Sequence, residues 1–237
     1  MTLTTDFTPS RPDPVVYGGA VRGDGLLPDT LEKYHRDGFL LFDSFLDKRS
    51  VKALSEEIDR LRGDAPVTDL HRKSALIDQL VRDSGLLGPV RQILGGPVYV
   101  YESRLLHRAG FDGAASPWRS DFETWRTEKG MKRMRAVSVQ IMLTEATSLS
   151  SPLMLIPGSH LHYSDSSIAN DPMAAVRRLV ETGEIAAPTG PAGTMVLYDC
   201  NIVHGANANI LPSPRASLVI VYNSLENRLD HEDAEAL

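Results

Sequence analysis

The sequence predicts a mainly β domain of sandwich or roll type with flanking helices, and three observations lead there. Five segments from Val98 onward, Val98–His107, Arg135–Thr144, Leu153–Ile156, Thr194–Cys200 and Ser217–Asn223, are rich in Val, Ile, Leu and Tyr and are parted by Gly, Pro and Asn turns. Helix-period patterns concentrate ahead of Gly95-Gly96-Pro97. The 237 residues, 42% of them hydrophobic, suffice for one core without covalent staples.

In chain order, residues 1–27 carry Pro9, Pro12, Pro14 and several glycines without periodicity and read as an irregular arm that orders only against the rest of the chain. Residues 28–237 form the single domain. Leu31, Tyr34 and His35 open a short helix that stops at Asp37-Gly38, and Phe39–Phe42 follows as a strand-like run. A second helix starts near Asp47, with Val51, Leu54, Ile58 and Leu61 at helical spacing and Lys52, Glu56, Glu57 and Arg60 left for water. Leu76 to Val81 and Leu86 to Leu94 add one or two further helical pieces, which brace the sheet. Late in the β region, Asp171–Gly183 reads as an inserted helix with Met173, Val176, Leu179 and Val180 on one face.

Charge and composition exclude several partners. The net charge of −6 is modest and its signs are interspersed, without the basic block a nucleic-acid groove requires. The longest apolar runs, such as Met195–Tyr198 and Val219–Tyr222, are strand-length and too short to cross a bilayer. The single cysteine, Cys200, forms no internal disulfide, and the polar start Met1–Ser10 is unlike a signal peptide. These features predict a cytoplasmic protein; that it acts on a small molecule, with a homodimer as the candidate assembly, is a separate expectation. Cys200, ending an apolar strand, reads as a buried, inert thiol.

The stretch Trp118-Arg119-Ser120-Asp121-Phe122-Glu123-Thr124-Trp125, with Gly130-Met131-Lys132-Arg133-Met134-Arg135-Ala136 after it, resembles the signature of ectoine hydroxylases within the phytanoyl-CoA dioxygenase family. The likeness continues through Leu155-Ile156-Pro157-Gly158-Ser159-His160, through Asp199 to Gly205, and through Asn209-Ile210 to Arg215, covering roughly Leu31 to Asn223. The resemblance implies a double-stranded β-helix, or cupin-like jelly roll, whose open end holds the reaction centre. It also implies Fe(II) held by a His-x-Asp pair and a distant His, with 2-oxoglutarate as co-substrate. Asp121 and His204 match the carboxylate and the distal histidine, and they are the metal ligands if a metal binds. Arg119 stands at the first histidine position, where a guanidinium offers no lone pair to a metal.

By the same resemblance, Arg215 matches the arginine that pairs with the distal carboxylate of 2-oxoglutarate, and Ser138 and Trp125 match cavity positions. Glu102 and Leu106 stand where the family has two amides, the second of which helps hold 2-oxoglutarate. An unpaired buried Asp121 is costly, so Arg119 reads as a replacement charge on the same face of a strand, with Glu102 as a second carboxylate for Arg119 or Arg104. His204 and Asp121 or Glu102 then form a proton-transfer pair, Arg215 and Arg104 an anion receptor, and Leu106 and Trp125 an apolar wall.

Three function classes follow. The first is a biosynthetic enzyme without a cofactor, performing metal-independent acid/base chemistry such as isomerisation, elimination or cyclisation. The second is an Fe(II)/2-oxoglutarate dioxygenase that hydroxylates a small amino-acid-like metabolite at a non-standard metal site, including a variant ligated by Glu102, Asp121 and His204. The third is a non-catalytic binding protein.

Overall fold

The computed structural model describes residues 10–18, 23–62, 68–111, 114–162, 174–229 and 234–237. Helix α1 (Pro28–Asp37) has a proline in its first turn, where the missing N–H removes no helical bond, and ends on Gly38 at φ 80°. Only glycine suits that position, because a Cβ there would lie 2.4 Å from the His160 ring. Strand β1 (Phe39–Phe42) follows. Helix α2 (Lys48–Leu61) is capped by Asp47, whose carboxylate accepts the Ser50 N–H at 2.7 Å, and Val51, Leu54 and Ile58 form its buried stripe. Helices α3 (Leu70–Lys73), α4 (Ala75–Val81) and α5 (Ser84–Leu94) complete the helical layer.

The β region forms two antiparallel sheets. The larger has the order β1-β6-β4-β8-β2, from β1, β2 (Val98–Arg108), β4 (Ala136–Met142), β6 (Met195–Asp199) and β8 (Arg215–Ser224). The smaller has the order β3-β7-β5, from β3 (Ser116–Arg119), β5 (Leu153–Leu155) and β7 (His204–Ala206). This is the mainly β, helix-flanked double-stranded β-helix expected. Every residue of the central strand β4 is buried, as a strand covered on both faces requires. The main core joins α2, α4 and α5 to the helix-facing side of the large sheet, where Val139, Ile220 and Tyr222 are fully buried.

Two expectations change in detail. Asp121 does not share a strand with Arg119: β3 ends at Arg119 and Asp121 is the first residue of helix α6 (Asp121–Lys129). The reason is Ser120, whose hydroxyl accepts the Glu123 N–H at 3.4 Å and caps α6, turning the chain between the two charges. The inserted helix is α7 (Ala174–Thr182), with Val176, Leu179 and Val180 against Ile156, Val203 and Trp118. Met173 and residues 171–173 lie outside the described residues, as do residues 1–9 and 19–22 of the arm.

Residues 10–18 form no helix or strand but run across the domain. Arg11 is clasped there: its guanidinium donates to Asp199 Oδ1 at 2.8 Å and to the Met134 carbonyl at 2.8 Å, with both ion-pair partners 2% exposed. No helix among the described residues is long and apolar enough to cross a membrane. Truncating Ile220, fully buried on β8, leaves a void that the stiff sheet cannot close; Ile220→Ala is expected to cost about 2–5 kcal/mol in a denaturant titration.

Candidate active site

A cavity opens between the sheets, lined by Arg104, Leu106 and Arg108 of β2, Arg119 of β3, His204 of β7 and Arg215 of β8, with Gln140 and Tyr198 behind them. Alternation along β2 explains the first three, which are spaced by two and share one face. A register shift between Val100 and Glu102 sets that parity. His204 is the register partner of Arg119 in the small sheet, so β7 delivers the imidazole beside β3.

Asp121 reaches the same point from α6. Its Oδ1 lies 3.4 Å from His204 Nε2 and 3.6 Å from Arg119 Nε. Hydrogen bonds hold the segments carrying Asp121 and His204 together: the Phe122 N–H donates to the Cys200 carbonyl at 2.8 Å, and the Ser120 hydroxyl lies 3.4 Å from the same carbonyl and 3.1 Å from Asn201 Oδ1. His204 Nδ1 is 3.0 Å from the Ile202 carbonyl. A carbonyl only accepts, so Nδ1 carries a proton and Nε2 turns its lone pair, or a second proton, toward Asp121. A lone pair facing a carboxylate at that distance calls for a proton or a metal ion between them.

Burial, the largest influence on the Asp121 carboxyl, pushes it upward; the charge and hydrogen bond of His204, with Arg119, outweigh this and leave it below the ordinary carboxylate value. The stability Asp121 contributes is therefore present above its unfolded pKa of about 4 and is lost as pH falls through the lower folded value. Asp121→Asn is expected to flatten the loss of stability below about pH 4 in acid unfolding curves.

Arg215 is only 1% exposed, yet its Nε and Nη1 have no hydrogen-bond partner among the described residues. Burial pushes its pKa down to about 10, and the charge of Arg108, its register partner on β2, acts in the same direction. A buried guanidinium held this way costs stability and awaits an anion. Arg215→Met is expected to stabilise the ligand-free protein by about 1–3 kcal/mol in thermal unfolding while removing that receptor.

The other predicted residues separate. Glu102 forms an ion pair with Arg104, and none with Arg119 is found among the described residues. Leu106 and Val219 supply the apolar wall; Trp125 sits behind them, in edge-to-face contact with Tyr101 at 5.2 Å. Ser138 is fully buried opposite Tyr198. Cys200 is buried and its thiol is pushed well up, first by burial and then by Asp199. Arg108 and Tyr198 were not singled out from sequence. Arg108 carried a usable signal, two residues beyond Leu106 on the same strand face; Tyr198, inside an apolar run, carried none.

The phytanoyl-CoA dioxygenase family model matches residues 34–217. An ectoine dioxygenase of Bordetella parapertussis is 40% identical over 93% of this chain and 83% of its own length. Crystal structures of EctD from S. alaskensis superpose closely: the form with bound Fe at TM-score 0.85 and 35% identity, the form with 2-oxoglutarate and 5-hydroxyectoine at 0.82 and 34%. Each comparison covers 93% of this chain and 84% of the other. The protein has the fold of an oxygenase enzyme. These relatives overturn the expectation that it works without a cofactor. That expectation gave Arg119 too much weight, since one partly exposed cation leaves Asp121 facing His204, and leaves Arg215 buried with its Nε and Nη1 unpartnered among the described residues.

Proposed function

We propose, from the cavity just described and from the phytanoyl-CoA dioxygenase family to which this chain belongs, that the protein is an Fe(II)- and 2-oxoglutarate-dependent dioxygenase that hydroxylates a small amino-acid-like metabolite. The observation that carries this reading is Arg215: a buried guanidinium with unpartnered nitrogens in the cavity that His204 also lines, placed to receive a carboxylate.

The residues fit 2-oxoglutarate at Arg215 and fit iron at two protein donors. Asp121 offers a carboxylate oxygen and His204 an Nε2 lone pair, 3.4 Å apart, a set suited to Fe(II). A third protein donor is missing: no group of three His, Cys, Asp or Glu side chains placed to hold a metal occurs among the described residues. In this reading Arg119 takes the place of the family's first histidine, and Asp121 and His204 are the residues that would hold the metal. When bound, the iron supplies the activation of dioxygen coupled to oxidation of the keto acid.

The chain's own residues do the rest. Arg215 fixes one end of the co-substrate, and its burial from water strengthens that ion pair. The Ile202 carbonyl fixes the His204 tautomer, keeping Nε2 free to bind. Leu106 and Val219 exclude water from one wall, and Arg119, with its side chain 39% exposed, is free to swing away from Asp121 when a cation arrives.

Anaerobic titration with Fe(II) and 2-oxoglutarate tests this by the visible charge-transfer band of the chelated keto acid. A saturable band is expected, absent in His204→Ala, with Fe(II) bound at least about tenfold tighter in Arg119→His. A band in Arg119→His but none in the natural chain overturns the reading.

A further inference from the structure

Charge in the cavity is out of balance. Four guanidinia line it, those of Arg104, Arg108, Arg119 and Arg215. Among the described residues only two carboxylates pair with them, Glu102 with Arg104 and Asp121 with Arg119. Arg108 has no acidic partner among the described residues: it donates to the Ala114 carbonyl at 3.0 Å and to the Ser116 hydroxyl, while its Nε is buried without a partner. It stands beside Arg215 in the β2–β8 register, so two cations share one stretch of sheet. Burial, then the charges of Arg119 and Arg104, push Arg108 downward in pKa. Like charges that share a partly dry cavity repel, and an anion placed between them relieves the repulsion.

One 2-oxoglutarate carboxylate would neutralise Arg215 and leave the excess at Arg108. A divalent ion between Asp121 and His204 would enlarge it, because Asp121 is the carboxylate that pairs with Arg119. That pair is loose, with a nearest approach of 3.6 Å, beyond hydrogen-bond distance, and so is easily given up.

We propose that Arg108 and Arg119 form a second oxyanion subsite that seats a carboxylate or phosphate of an acidic substrate, and that Arg119 turns into it from Asp121 when a cation takes Asp121. The substrate is then a net-negative metabolite, and Arg119 is its specificity-determining residue. Cation and oxyanion binding are reciprocally coupled, each releasing a partner that the other requires. The role of the cation rests on the dioxygenase reading; the subsite does not.

The test therefore runs without metal. Asp121→Asn removes the competing carboxylate while keeping its shape, and so stands in for the occupied state. Calorimetric titration with inorganic phosphate and with succinate is expected to show at least one of them bound about tenfold tighter by Asp121→Asn than by the natural chain. The gain should vanish in Asp121→Asn/Arg119→Gln and fall in Asp121→Asn/Arg108→Gln, and neutral succinamide should show none. Whichever of the two probes gains identifies the oxyanion as phosphate or carboxylate. Equal affinities across the set, or a gain that survives Arg119→Gln and so reports Arg215 alone, overturn the proposal. An Arg119-dependent gain without a charge-transfer band in the iron titration upholds the subsite and sinks the dioxygenase reading; a band without that gain does the reverse.

Discussion

The Phe122 N–H and the Cys200 carbonyl, 2.8 Å apart, join two segments that are distant in sequence, and the rest of the site depends on that bond. Asp121 stands immediately before it on one segment, and the loop leading to His204 follows it on the other. Ser120 adds a second tie to Asn201 and also caps α6. Asn201 passes the constraint on: its side-chain amide donates to the His160 and His162 carbonyls, each at 3.0 Å, and its backbone N–H donates to Asp199 at 2.8 Å. Reactive groups tolerate displacements well under an ångström, and here the tolerance is set by backbone bonds on both flanks rather than by loop packing.

Within that frame the electrostatics run against stability. Asp121 is well served, with His204 and Arg119 both within 3.6 Å. Arg215 is not; it keeps its charge in a nearly closed site with two nitrogens unpartnered. Hydrophobic burial across the large sheet supplies the stability that tolerates this, and the helices α2, α4 and α5 pack on the face of the sheet away from the cavity. Core and site thus occupy opposite faces of the same strands, with Ser103 buried on one side of β2 while Arg104 faces the other.

The long strands were legible because apolar runs with β-branched residues are what a two-sided sheet requires; β4 and β8 differ from the expected segments only at their ends. Strands β3 and β7 were not legible. Each has three or four residues, with Pro117 in one and Gly205 in the other, and they exist because they pair with one another. At the site, the motif resemblance pointed to Asp121, His204 and Arg215, and the structure brings His204 into contact with Asp121 and into one cavity with Arg215. Spacing alone placed Arg119 beside Asp121 but put Asp121 on the wrong kind of element, since a serine cap is a local signal easily read through when it sits inside a matched motif. Glu102 went to Arg104 because their side chains are neighbours on one strand, a shorter route than crossing the cavity to Arg119.

Arg11 has a consequence for the order in which the chain can be finished. Beyond the Asp13 carbonyl two residues on, its partners lie at Met134, His160 and Asp199, so during synthesis the guanidinium emerges long before the distant groups that bury it. The arm must stay solvated until β6 has left the ribosome, and then close over the end of that strand as a late, long-range contact. Asp199, fixed by this closure, holds the turn that leads to His204. The first described segment of the chain is thus among the last to dock, and the histidine side of the centre reaches its final geometry only when it does.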